Sequence, residues 1–143
     1  MMMADMGAQI LRVEAIGRDD LLKSFQPQHK RVSYAYLTLN RNKQAIALDL
    51  KQVEAVHIVK KLIAEYDVII EQFRPGVMAK LGLDYPTLKK INPKLIYCSI
   101  TGYGQNSCYK NRAGHDINYL ALSGLASFSG TQQTGPVLNG TQI

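Results

Sequence analysis

Two short runs, Asp67-Val68-Ile69-Ile70-Glu71 and Leu95-Ile96-Tyr97-Cys98-Ser99-Ile100, are apolar almost from end to end. A strand with one wet face alternates apolar and polar side chains, whereas a continuous apolar run belongs to a strand covered on both faces, as in a parallel sheet flanked by helices. Between the runs come Arg74-Pro75-Gly76 and two segments predicted as short helices, over 77–81 and 85–91, the second ended by Asn92-Pro93. Upstream, 9–14 and 44–50 read as further strands. Val53, Val56, Val59 and Ile63 mark one face of a helix after the second of these, with His57 beside that face in a structural role. Strands alternating with helices predict an α/β chain with a doubly wound parallel sheet, its right-handed crossovers placing helices on both sides.

The 143 residues suffice for one domain with a real core, and 46% hydrophobic with 20% charged content is that of a globular chain. Met1 to Met6 read as the end of an amphipathic helix stopped by Gly7, so the chain starts in the middle of an α/β unit and is expected to be an internal piece of a longer protein. The stretch 16–43 carries many charges and little periodicity, which predicts a long loop with a short helical piece. A loop of that length is uncommon unless it binds something.

Seventeen Lys and Arg against eleven Asp and Glu give a formal charge of +6, which suits a polyanionic partner. The basic residues are dispersed among acids without a recognition helix or ribonucleoprotein motif, which argues against nucleic acid. Cys98 and Cys108 lack CxxC spacing, and Cys98 falls in an apolar strand, so neither a disulfide framework nor a metal site is expected. No stretch approaches the roughly 20 apolar residues that span a bilayer, and the first residues lack the features of a signal peptide. The expectation is a soluble chain in a reducing compartment: the cytoplasm or, in a eukaryote, a peroxisome or mitochondrion.

In doubly wound sheets ligands lie beyond the carboxyl ends of the strands. The loops expected there offer Lys51, then Gln72-Phe73-Arg74-Pro75-Gly76, then Thr101-Gly102-Tyr103-Gly104-Gln105. They supply cations for phosphate, an aromatic face at Phe73 or Tyr103, and glycines that let backbone come close. Gly102-Tyr103-Gly104 follows a strand without opening a helix, so it is no dinucleotide fingerprint.

Chemistry is expected at Arg112-Ala113-Gly114-His115-Asp116, where a glycine turn becomes a helix with its apolar face at Ile117, Leu120, Ala121 and Leu125. A histidine in the first turn of that helix sits at the positive end of its dipole, which favours a neutral imidazole able to take a proton. Asp116 orients that imidazole or caps the helix.

These segments, with Leu39-Asn40-Arg41-Asn42-Lys43, Ala47-Leu48-Asp49-Leu50-Lys51, Leu81-Gly82 and Asn92-Pro93-Lys94-Leu95-Ile96-Tyr97, come in an order that resembles the class III CoA-transferase family. It is also described as the L-carnitine dehydratase and bile-acid-inducible protein F family, and it includes α-methylacyl-CoA racemase, whose branch Ala113-Gly114-His115-Asp116-Ile117-Asn118-Tyr119-Leu120-Ala121-Leu122-Ser123-Gly124 resembles most. The resemblance implies an incomplete Rossmann-like domain, residues 1–143 forming part of the CoA-binding domain of an interlocked homodimer. It implies that coenzyme A, as the thioester substrate, lies along Leu48, Lys51, Gln72, Phe73, Lys80, Leu81 and Tyr103, with Arg74 in the same motif and Gly102 beside Tyr103. Neither metal nor membrane enters this scheme.

The resemblance further implies that His115 is one of two acid/base residues. Its partner, an aspartate, would follow a segment resembling Gly135-Pro136-Val137-Leu138-Asn139-Gly140 and so fall just after Ile143. Two reactions are then open: racemisation of 2-methylacyl-CoA through one base on each face of an enolate, or transfer of CoA between carboxylic acids through an acyl-aspartyl intermediate. A third expectation is a non-catalytic piece that at most holds the nucleotide end of CoA.

Overall fold

The opening helix α1 (Met2–Asp5) is stopped by Gly7, whose φ of +97° suits glycine. The N–H of Gly7 reaches the Ala4 carbonyl at 3.1 Å and that of Ala8 the Met3 carbonyl at 3.0 Å, a Schellman ending. The chain then enters β1 (Leu11–Glu14). The structure is a computed structural model describing residues 1–137, and it divides into two compact units, 1–59 and from Lys60 onward.

In the first unit β1 pairs in parallel with β4 (Gln44–Ala47), Leu11 opposite Gln44 and Glu14 opposite Ala47. The stretch between them is more ordered than a loop. Asp20 caps a 3₁₀ turn over Leu21–Ser24 by accepting from the Leu22 N–H at 2.9 Å. A two-residue hairpin follows, β2 (Gln28–His29) against β3 (Val32–Ser33), with Lys30 and Arg31 both at positive φ. Fully buried Ser33 then caps α2 (Tyr34–Asn40), its Oγ accepting from the Tyr36 N–H at 2.9 Å. Sequence patterning missed the hairpin because Lys-Arg carries none of the Gly or Asn signal of such turns.

Helix α3 (Val53–Ile63) carries basic Lys60 and Lys61 in its last turn, as the dipole favours. The boundary between the units falls within it.

In the second unit β5 (Val68–Glu71) pairs in parallel with β6 (Ile96–Ser99), Val68 opposite Ile96 and Glu71 opposite Ser99. Between them run α4 (Val77–Lys80) and α5 (Tyr85–Leu88). Gly82 ends α4 with the same Schellman pair as Gly7, to the Ala79 and Met78 carbonyls. Asn92 donates to the Ile63 and Tyr66 carbonyls, both at 3.1 Å, tying the turn after α5 to the end of α3. Ile63, Met78, Leu83, Leu88 and Leu95 form the core of this unit.

The architecture is therefore mixed α/β with parallel strand pairs, β1–β4 in one unit and β5–β6 in the other, rather than the one continuous sheet expected. The strand pair β5–β6 departs from the expectation of two covered faces. Val68, Ile70 and Ile96, which share one face, are 42%, 47% and 61% exposed, and Cys98 is only half-buried. The last helix, α6 (Asp116–Leu122), is shorter than its apolar pattern suggests, because Gly124 at φ +82° turns the chain into a 3₁₀ turn over Leu125–Phe128. Its expected apolar face is not buried either: Ile117 and Leu125 are 49% and 52% exposed.

Candidate functional site

Two loops and one helix terminus converge in the second unit. The first loop leaves β5 at Glu71, which is 6% exposed. A buried carboxylate must be hydrogen-bonded to be tolerated. It accepts from the Ser99 hydroxyl and from the Phe73 N–H at 2.7 Å, and Gln105 donates in turn to Ser99. Glu71 thereby fixes the start of the Gln72–Pro75 loop against the end of β6. Sequence reading gave it no role; an acidic residue closing an apolar strand was the available signal.

The second loop, from Ile100, is locked to the start of α6 by tyrosines. The Tyr119 hydroxyl donates to the Gly114 carbonyl at 2.9 Å, and its ring packs edge-on against Tyr103 with centroids 5.2 Å apart. A Cβ at Gly102 would lie 2.2 Å from the Tyr119 hydroxyl, and one at Gly114 would lie 2.6 Å from that of Tyr103. The glycines here serve close packing between loops.

His115 occupies the N-cap of α6 rather than its first turn, with an extended backbone. Its N–H donates to Asn118 Oδ1 at 2.9 Å, and its carbonyl accepts from the Asn118 N–H at 2.9 Å. The imidazole is exposed and lines a cavity of about 250 Å³. Gln72, Phe73, Arg74, Gly102 and Tyr103 line it as well, so five of the residues singled out for a ligand and one singled out for chemistry share one hollow. Lys110 and Arg112 reach the same wall; Arg112 opens the stretch expected to carry chemistry, and Lys110 was assigned no role from the sequence.

Other candidates lie elsewhere. Asp116 is the first residue of α6, suited to the positive end of its dipole, and is not among the cavity's walls. Lys80 and Leu81 close α4, outside the cavity. Leu48 is buried in the first unit, and Lys51 follows there, its N–H bonded to Asp49 Oδ1 at 3.1 Å. Leu138, Asn139 and Gly140 of the segment expected to precede the second base lie outside the described residues.

Arg74 also borders a second cavity of about 300 Å³ with Glu71, Asp84, Tyr85 and Tyr97. Burial, reinforced by the charges of Glu71 and Asp84, pushes the Tyr97 phenol up to about 12. It stays protonated and donates to the Leu83 carbonyl at 3.3 Å. Among the described residues no cluster of three His, Cys, Asp or Glu could hold a metal ion, and no helix is long and apolar enough to cross a membrane.

Comparison with known proteins gives the family. The family model for CoA-transferase family III matches residues 1–143. Succinyl-CoA:glutarate CoA-transferase of Mus musculus is 41% identical over 144 residues, covering 100% of this chain and 33% of that protein. Alpha-methylacyl-CoA racemase of Mus musculus is 41% identical over 136 residues, covering 95% of this chain and 32% of that protein. The crystal structure of a CAIB/BAIF family protein from Brucella suis superposes with a TM-score of 0.87 at 36% identity, over 97% of this chain and 38% of that one. The chain spans about a third of the length of the curated relatives it matches.

Proposed function

Because this chain belongs to CoA-transferase family III, we propose that the full-length protein acts on acyl-CoA thioesters and that the cavity beside His115 receives the acyl end. One observation carries this reading: the ligand loops, Gln72–Pro75 and Ile100–Tyr103, and the exposed imidazole of His115 line a single hollow. Gln72, Phe73, Arg74, Gly102 and Tyr103 hold the substrate arm there; Leu48, Lys51, Lys80 and Leu81 contact other parts of CoA.

The reaction is racemisation of a 2-methylacyl-CoA. A thioester acidifies its α-proton, and the imidazole of His115 takes it while the C–H electron pair moves onto the thioester carbonyl. A second base beyond Ile143 returns a proton to the opposite face. Asp116 keeps the start of α6 in place. In deuterium oxide the full-length enzyme exchanges the α-proton of a 2-methylacyl-CoA, and His115→Ala slows that exchange about 10²-fold or more. Exchange untouched by the substitution overturns the assignment.

A second reading is favoured by the 41% identity to a succinyl-CoA:glutarate CoA-transferase over the whole chain. There a carboxylate outside this chain attacks the thioester, and CoA leaves and is passed to another acid, with His115 a substrate contact. Hydroxylamine trapping separates the two, since only the transferase yields a modified aspartate.

A further inference from the structure

The two cavities of the second unit meet at the loop after β5, and among their described walls Arg74 is the one residue that belongs to both. The hollow beside His115 lies on one side of it. On the other lies the cavity of about 300 Å³, which has Glu71 and Asp84 on its wall and Arg74 as its one cation. Both carboxylates bear on the Tyr97 phenol, so they surround one space.

The two acids are not equivalent. Glu71 has its partners in the Ser99 hydroxyl and the Phe73 N–H. Asp84 has the extended backbone of an N-cap at the start of α5, φ −73° and ψ 161°, yet its side chain caps nothing. Its Oδ1 is buried and has no hydrogen-bond partner among the described residues. A carboxylate oxygen cut off from both water and donors is costly, and a cation that turns to it removes the cost. Two neutral donors on that wall are already engaged, the Tyr97 hydroxyl with the Leu83 carbonyl at 3.3 Å and the Gln105 amide with Ser99.

Among the described residues no ion pair joins Arg74 to Asp84. Arg74 stands between the two spaces, and the many rotamers of an arginine let one backbone position serve either side. We propose that Asp84 is a positioning residue that acts through Arg74: it offers the guanidinium a second seat, in the cavity away from His115, and so competes with the ligand for it. This rests on the thioester reading above, in which Arg74 helps to hold the substrate arm. Affinity for the thioester is then reduced by the fraction of molecules whose Arg74 is turned to Asp84.

The test titrates isobutyryl-CoA into the full-length protein by calorimetry. Asp84→Asn keeps the shape and an N-cap side chain but removes the charge. It tightens binding about threefold, the gain expected where Asp84 holds Arg74 in about two molecules of three. Asp84→Ser gives a gain of the same sign and serves should Asp84→Asn fail to fold. In an Arg74→Gln background, where binding is weaker, neither substitution changes it further, because no guanidinium remains to be released. Unchanged or weaker binding in the Asp84 variants, or an equal gain in the Arg74→Gln background, overturns the inference alone. A wild type that does not bind isobutyryl-CoA overturns the thioester reading and this inference with it.

Discussion

In residues 1–59 the one fully buried side chain is Ser33, with Ala4, Leu48, Ala55 and Val59 each 6–8% exposed, whereas in the second unit Leu83 and Leu88 are 1% and 0% exposed. The treatment of charge differs as sharply. In the first unit Glu14 accepts from the Tyr36 hydroxyl at 2.9 Å and pairs with Arg12 at 3.5 Å and Lys23 at 3.4 Å, while Arg12 also pairs with Asp20. Arg12 and Lys23 both lie over the Tyr36 ring. In the second unit the cations at the cavity have no such partners among the described residues. Charge density in a sequence thus does not by itself locate a ligand site.

The largest effect that can break this comparison comes from the apolar core. Leu88→Ala should cost about 2–5 kcal/mol of stability in urea unfolding of the full-length protein, through the cavity it leaves. A loss below that of Tyr36→Phe would show that the leucine core is not what holds the second unit.

Next comes Gly102→Ala, whose Cβ meets the Tyr119 ring. It should cost about 1–3 kcal/mol through overpacking and weaken CoA binding in calorimetry. Unchanged binding would detach the Ile100–Tyr103 loop from the ligand.

Tyr36→Phe removes one hydrogen bond to a charged acceptor and should cost about 1.5 kcal/mol. No measurable loss would mean that the Glu14 network is a surface ornament.

The pH profile should show an acid limb from the first unit and an alkaline limb to which both units contribute, since burial and the hydrogen bond to Glu14 also raise the Tyr36 phenol above its ordinary 10. The Tyr36 hydrogen bond holds Glu14 below its ordinary 4.5 against the pull of burial, with Arg12 and Lys23 assisting. Burial pulls Asp20 up, but the Leu22 N–H and Arg12 outweigh it and hold it below 3.8. The unfolded chain binds protons more readily at both, so their contribution is full above those ordinary values and is lost as pH falls through the lower folded ones. Tyr97 is the reverse. Burial, then Glu71 and Asp84, keep its phenol protonated up to about 12, so its contribution is full below 10 and is lost as pH climbs from 10 toward 12. Tyr36→Phe should flatten the acid limb, and Tyr97→Phe should remove the step near 12 in an ultraviolet phenolate titration. Identical acid limbs in the wild type and Tyr36→Phe would refute the first assignment.

Much of this was legible in the sequence, and the misses have physical causes. Strand and helix order from β4 to β6 follows from apolar runs and glycine stops, although α4 and α5 end earlier than predicted. The motifs converging on the cavity were legible as loops after strands and as a glycine before a helix. Lys110 was not, because nothing in a dispersed set of basic residues says which will border a cavity. The charge of 16–43 suggested a binding loop, yet Asp20 and Lys23 join a network with Glu14 that only a folded backbone brings together. The exposed face of β5–β6 escaped prediction because an apolar run reports what a strand can bury.

Tyr119 couples two parts that are far from neighbours in the chain. Its ring occupies the room above Gly102 while its hydroxyl holds the carbonyl just before His115. One side chain therefore spans the room over the glycine loop and the backbone that leads into the imidazole, so that loss of the Tyr119 ring would loosen both at once.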